Sequence, residues 1–178
     1  MQQKGMVWVI GASGGLGRAT AQAVAQNGWS VIAGARSFAE GTSPLGEGVT
    51  VLPLDVTSEE SCTAFVKKAL GMESRVDVLV CAAAQLVLGS CENTTVDELD
   101  RLLDVNVLGA VRMIQRALPL MRAQKSGKII LFSSINGLLG IPFQSAYTAS
   151  KHALEGYAEC LAMETEAFGV QVCLVEPG

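Results

Sequence analysis

The chain has 178 residues, of which 49% are hydrophobic and 17% charged, and its formal net charge is -4. That length and composition suit a single domain with a sizeable buried core and exclude a disordered chain. They also lack the basic excess of a nucleic-acid binder, an apolar run long enough to span a membrane, and the basic start and long apolar centre of a signal peptide.

In chain order, short β-branched runs alternate with helical segments. A strand is expected at 6–10, then an alanine-rich helix over 16–27 that closes at Gly28. Strands follow at 30–34 and 49–52, joined by a surface loop over 37–48 that holds three glycines and Pro44. A helix over 58–70 starts at Ser58, with Glu59 and Glu60 placed where the helix dipole favours acids. Next come a strand at 76–81, a long helix over 96–124 bent at Pro119, a strand at 128–132, a helix over 146–168 ended by Gly169, and a strand at 170–175. The strands are nearly continuous apolar runs, as expected when both faces are buried. The fold class is therefore α/β: a doubly wound parallel sheet of Rossmann type in three αβα layers, with residues 1–178 as one domain.

The segment Gly11-Ala12-Ser13-Gly14-Gly15-Leu16-Gly17 joins the first strand to the first helix. Glycines there permit a sharp turn and close approach of a pyrophosphate, and the helix start offers free N–H groups. The spacing reads as GxxxGxG or as GxxGxxG. At the end of the second strand stands Arg36, with no acid in the run 31–36. A carboxylate there would hold the ribose hydroxyls of NAD, whereas an arginine pairs with a 2′-phosphate. NADP(H) is therefore the expected cofactor, with NAD(H) the alternative. Asp55 either accepts from an adenine amino group or starts the turn at 55–58.

Tyr147 and Lys151 are spaced i to i+4, so they share one helix face. A phenol gives up its proton only near pH 10 in water, and a nearby ammonium favours the phenolate, making such a phenol usable as a general acid or base. Ser133 and Ser134 close the fifth strand, where a doubly wound sheet presents ligands. Asn106 stands among apolar residues and needs partners if buried.

On these residues the chain resembles the short-chain dehydrogenase/reductase family over its whole length. The motifs correspond to Gly11, Gly15 and Gly17, to Asp55, to Asn106, to Ser134, and to Tyr147 with Lys151. Ser134 is preferred to Ser133 because it precedes Tyr147 by the usual family interval, which is longer in the epimerase-like relatives. The resemblance implies that Tyr147 is the general acid/base and that Ser134 orients the substrate oxygen. It implies that Lys151 favours the phenolate and holds the nicotinamide ribose, and that Asn106 anchors a proton-relaying water. It places the cofactor against Gly11, Ser13, Gly14, Gly15, Leu16, Gly17, Arg36, Asp55, Val56, Ala82, Ala83, Asn106, Tyr147, Lys151, Pro177 and Gly178. No metal is expected, since the sole histidine, His152, has no clustered thiols beside it.

Two departures from the family stand out. The run after the fourth strand is Cys81-Ala82-Ala83-Ala84 in place of Asn-Asn-Ala-Gly, which removes side-chain hydrogen bonds near the adenosine. In the family, the Pro177-Gly178 pair begins the loop over the nicotinamide, followed by substrate-binding helices and a final strand. The expectation is that the chain lacks that strand and lid, as a fragment or as a natively short protein, and turns over weakly by itself.

The mostly apolar loop 135–144 either lines a lipophilic substrate pocket or is packed beneath a neighbouring helix. Parts of 103–168 resemble the family's hydroxysteroid and retinol dehydrogenases, which implies a lipophilic alcohol or carbonyl substrate. Ala110, Ala117, Ala153, Ala158 and Ala162 are expected on outer helix faces, which in the family form a homodimer or homotetramer interface. The five cysteines, odd in number and without CxxC, are expected as reduced thiols mostly in the core of a cytoplasmic protein. The expected function is an NADP(H)-dependent alcohol–ketone oxidoreductase. The alternative is a dinucleotide-binding module without turnover, a redox sensor or assembly subunit.

Overall fold

The computed structural model describes residues 4–39 and 45–178. Six strands, β1 (Met6–Ile10), β2 (Ser30–Ala35), β3 (Val49–Pro53), β4 (Val78–Cys81), β5 (Gly127–Phe132) and β6 (Val170–Val175), make one parallel sheet. Their spatial order is β3-β2-β1-β4-β5-β6, so the direction of winding reverses between β1 and β4. In such sheets the crevice beyond the strands' carboxyl ends at that reversal is where ligands bind.

Burial explains why the strands read as unbroken apolar runs. Along β1, Trp8 and Ile10 face one layer while Val7 and Val9 face the other, and all four are almost fully inaccessible. The first layer is built by α2 (Glu59–Met72), α4 (Gly109–Gln124) and α5 (Ser145–Thr165), through Phe65, Met113, Ile114 and Leu154. Trp8 meets Phe65 edge-on, with ring centroids 5.9 Å apart. The opposite layer holds α1 (Gly15–Gln26), which contributes Ala21. The Ser58 hydroxyl caps α2 by accepting from Ser61 N at 3.1 Å. Gly28 (φ 83°) and Gly169 (φ 71°) turn the chain out of the helices they follow. Among the described residues no helix is long and apolar enough to cross a membrane.

The structure corrects four expectations. The long helix is continuous from Val96, but its break in pattern is not at Pro119, which lies inside α4. The change falls between α3 (Val96–Leu103) and α4, where Asp104–Leu108 form a π-helical turn and Gly109 N donates to the Asp104 carbonyl. The connection 37–48 is not wholly superficial: Phe38 and Leu45 are buried in the α1-side core, whereas Pro44 lies outside the described residues. Cysteines are not mostly internal, since Cys62 and Cys81 are buried but Cys91, Cys160 and Cys173 are exposed. Finally, Ala110, Ala117 and Ala158 are core residues, not outer-face ones, because those helix faces pack on the sheet. Ala153 is exposed and Ala162 half-buried.

Candidate active site

Because all six strands run the same way, their carboxyl ends collect Gly11, Arg36, Asp55, Ala82 and Ser134 along one edge of the sheet. A cleft of about 390 Å³ at that edge is lined by Gly11, Ser13, Gly14, Gly15, Leu16, Gly17, Arg36, Asp55, Val56, Ala82 and Ala83. Ala35, Leu54, Ala84, Gln85 and Val105 complete its wall.

The glycine loop is shaped by close backbone approach. Gly11 has φ 88°, and a Cβ there would lie 2.4 Å from Ala83 N. A Cβ on Gly17 would lie 2.3 Å from the Gly11 carbonyl oxygen. By contrast, a Cβ on Gly14 or Gly15 would meet nothing within 4 Å, so the loop's outer side opens into the cleft. Gly14 caps α1 without a side-chain bond, and the first turn of α1 carries no acid. Uncapped N–H groups at a helix start, with no acid nearby, suit an anion.

Arg36 is exposed at the end of β2. Asp55 starts the turn at 55–58 while lining the cleft: its Oδ1 accepts from Thr57 N at 3.0 Å and from Thr57 Oγ1 at 2.8 Å. Those two bonds hold the Asp55 carboxyl below the usual carboxylate range, helped by Arg36 and Arg112. Cys81, buried at the end of β4, has its thiol pushed up to about 12 by burial and is inert as a nucleophile.

Asn106 sits in the π-helical turn and is buried. Its Oδ1 accepts from Gln85 N at 2.7 Å, and its Nδ2 donates to Gln85 O at 2.9 Å and to Ser150 Oγ at 3.0 Å. Ser150 in turn donates to the Tyr147 carbonyl at 2.7 Å, so Asn106 ties the segment after β4 to the first turns of α5. Sequence reasoning missed Ser150, although its place three residues after Tyr147 was visible. It also missed Asn136. The Asn136 side chain accepts from Ser134 Oγ at 3.3 Å and donates to Gln144 Oε1 at 3.1 Å and to Thr148 Oγ1 at 3.0 Å. Ser134 is thereby anchored to the start of α5. The Ser134 hydroxyl also lies 3.4 Å from the Pro177 carbonyl, to which Ile135 N donates at 3.0 Å. Gly178, the last residue, is exposed beside it.

Tyr147 is half-buried, and Lys151 Nζ lies 5.5 Å from its ring centroid. Lys151 is 2% exposed and donates to the Phe132 carbonyl at 2.6 Å. Burial lowers its ammonium from 10.5 to about 8, with the nearby Glu155 opposing the shift. Between those two values the unfolded chain binds more protons here than the folded chain, so stability rises with pH over that range. At pH 7 the buried charge therefore destabilises the fold. Lys151→Met is expected to raise the unfolding free energy at pH 7 by up to about 3 kcal/mol, less the lost bond to Phe132. Denaturant titration should show the gain vanishing by about pH 10. A variant less stable than the parent at pH 7 would overturn the assignment. His152, next in sequence, is exposed and its Nδ1 contacts the Thr148 carbonyl at 3.0 Å, away from the Lys151 face.

The short chain dehydrogenase family model matches residues 5–178. The 3-ketodihydrosphingosine reductase of Bacteroides thetaiotaomicron is 39% identical over 176 residues, covering 99% of this chain and 64% of that protein. Estradiol 17-beta-dehydrogenase 1 of Rattus norvegicus is 45% identical over 128 residues, 72% of this chain and 37% of that protein. Retinol dehydrogenase 8 of Homo sapiens is 40% identical over 134 residues, 75% of this chain and 42% of that protein. A crystal structure of a short-chain dehydrogenase from Streptomyces avermitilis superposes with a TM-score of 0.92 at 36% identity, covering 100% of this chain and 66% of that one. The chain thus belongs to the short-chain dehydrogenase/reductase family, and it spans less than two thirds of the length of these curated relatives.

Proposed function

We propose that this chain carries the nucleotide-binding and catalytic part of an NADP(H)-dependent oxidoreductase that interconverts a secondary alcohol with a ketone, or acts on an aldehyde. The carrying observation is the buried Lys151 beneath the ring of Tyr147, at the sheet edge that also holds the glycine loop. When bound, the nicotinamide supplies or accepts the hydride. Gly11, Ser13, Gly14, Gly15, Leu16 and Gly17 cradle the pyrophosphate, and Asp55, Val56, Ala82 and Ala83 flank the adenosine. Pro177 and Gly178 adjoin the nicotinamide side.

Tyr147 donates its phenolic proton to the carbonyl oxygen in reduction and takes a proton from the hydroxyl in oxidation. Lys151 favours the phenolate by its charge and offers its free N–H bonds to ribose hydroxyls. Ser134 orients the substrate oxygen, swinging its hydroxyl away from Asn136. Asn106, its amide engaged with Gln85 and Ser150, positions the strand end and the Tyr147 turn.

A lipophilic substrate is favoured by the surface beside Ser134. Leu138, Leu139 and Phe143 of the loop 135–144 are exposed, which supports an apolar substrate-facing surface, while Asn136 and Gly137 are buried beside the start of α5. Gly89 N donates to the Phe143 carbonyl at 2.9 Å, and Leu86 and Leu88 just before it are also exposed. The relatives named for 3-ketodihydrosphingosine, estradiol and retinol favour the same class. NADPH oxidation with a panel of lipophilic ketones tests the reading. Binding without turnover would favour the dinucleotide-binding module instead.

The cofactor preference rests on Arg36, exposed at the cleft, with no acid in the run 31–36 at the end of β2. Arg36→Asp is expected to weaken NADPH binding roughly tenfold to a hundredfold, by loss of a charge-assisted phosphate contact. NADH binding should be kept or improved. An unchanged ratio of the two dissociation constants would remove the argument.

A further inference from the structure

We propose that Asn136 is a positioning residue for this reaction: its side-chain amide holds the Ser134 hydroxyl as a loosely tethered hydrogen-bond donor, ready for the substrate oxygen. The inference rests on the role given above to Ser134.

The main chain fixes Ser134 from both sides. Ser133 N donates to the Val175 carbonyl at 2.8 Å, and Ile135 N to the Pro177 carbonyl at 3.0 Å. Ser134 then opens the short 3-10 turn Ile135–Gly137, and its Oγ accepts from Asn136 N at 3.3 Å. One lone pair of the hydroxyl is thus engaged, and its proton is left to be directed. Two acceptors receive it: Asn136 Oδ1 at 3.3 Å and the Pro177 carbonyl at 3.4 Å. Both distances are long beside the roughly 2.7–2.8 Å of an ordinary O–H···O bond, so neither acceptor holds the proton firmly. A substrate oxygen at ordinary distance takes it without breaking a strong bond.

The orientation of the amide is set by α5. Asn136 is buried, and its Nδ2 donates to Gln144 Oε1 at 3.1 Å and to Thr148 Oγ1 at 3.0 Å. Both side-chain N–H bonds are therefore used, and Oδ1 is turned to Ser134. With the amide turned over, its oxygen would face Gln144 Oε1, and its donors would face a hydroxyl that already accepts from Asn136 N.

An amide suits this task because it is neutral and both accepts and donates. A carboxylate at 136 would take the serine proton in a charge-assisted bond about twice as strong, and would lose both donors to α5. Alanine there would leave the hydroxyl to the Pro177 carbonyl alone. The titratable groups on the elements packed here are Tyr147, Lys151, His152 and Glu155 on α5, and Glu176 after β6. Among the described residues, the side-chain hydrogen bonds of Asn136 and Ser134 reach none of them. A carboxyl introduced at 136 therefore brings a titration of its own.

The test is a double-mutant cycle in the full chain, read as kcat/KM for ketone reduction by NADPH. Asn136→Asp should lower this quantity about tenfold to a hundredfold at pH 8, with KM for NADPH within about twofold. Burial and the lost donors raise the new carboxyl, so the ratio of variant to parent should recover as the pH falls from 8 to about 5 and the carboxyl takes up a proton. In Ser134→Ala the same substitution should cost less than about threefold at every pH, because the hydroxyl it acts on is gone. Equal losses in the two backgrounds, or a ratio that does not change with pH, overturn the proposal. Should Asn136→Asp fail to fold, Asn136→Ala serves: its loss, expected at about threefold to tenfold, should vanish in Ser134→Ala, and additive losses overturn the proposal. If the parent turns over no ketone, the proposed function fails by itself. The hold of Asn136 on Ser134 is then read by NMR of the nitrogen-15-labelled side-chain amides. The Asn136 signal, assigned by its loss in Asn136→Ala, should shift in Ser134→Ala, and an unmoved signal overturns the proposal.

Discussion

Tyr147→Phe is expected to lower kcat for ketone reduction roughly a thousandfold, with NADPH affinity unchanged within about twofold. Phenylalanine keeps the ring, and with it the contact to Lys151 at 5.5 Å, and removes only the hydroxyl. The proposed dinucleotide contacts in the cleft are left in place, because the glycine loop, Arg36 and Asp55 lie on other elements. The loss should therefore appear in kcat and kcat/KM together, the pattern of an interaction made only in the transition state. Ser134→Ala should cost less, since Asn136 and the Pro177 carbonyl still shape the pocket floor around the missing hydroxyl. Stopped-flow NADPH oxidation beside equilibrium fluorescence titration separates the two quantities. Retention of kcat within tenfold in Tyr147→Phe would remove the phenol from the proton path.

How much of this was readable from the sequence follows the range of each interaction. The strands were legible because burial on both faces leaves unbroken apolar runs, as along β1 and β2. The glycine loop and the 147/151 pair were legible because their chemistry is local: a turn between two elements, and one helical period. The π-helical turn at Asp104–Leu108 was not, since its cause is tertiary. Asn106 reaches Gln85 and Ser150, and a Cβ at Gly109 would lie 2.6 Å from Val56 Cγ2. Pro119 drew attention instead because its missing N–H is a local signal. Ala110, Ala117 and Ala158 were misplaced because alanine's helix propensity hides which face meets the sheet. The close packing of Ser133 Oγ and Glu155 Oε1 on Gly137 was also invisible, because only the fold brings α5 against the turn after β5.

Gly11→Ala is expected to destabilise the fold by about 3–5 kcal/mol and to abolish dinucleotide binding. Two penalties coincide at this position. The φ of 88° is unfavourable for any residue with a Cβ, and the added carbon would start 2.4 Å from Ala83 N and 2.6 Å from Ala83 Cα. Those are main-chain atoms of the strand end across the switch point, which are held by Ala82 N donating to the Ile10 carbonyl at 2.8 Å and cannot swing away. Two other glycines separate the penalties. Gly28 has φ 83° but open space around it, so Gly28→Ala bears only the backbone cost, about 1 kcal/mol. Gly17 has no positive φ, yet its Cβ would meet the Gly11 carbonyl at 2.3 Å, so Gly17→Ala bears only the steric cost, about 1–3 kcal/mol. Denaturant unfolding should rank the losses Gly11 > Gly17 > Gly28. NADPH titration should find binding intact only in Gly28→Ala, whose site lies at the far end of α1. Equal destabilisation in all three, or NADPH bound normally by Gly11→Ala, would mean that the loop relaxes around the new methyl group. The close approach of β1 to the end of β4 would then not be what shapes the cleft.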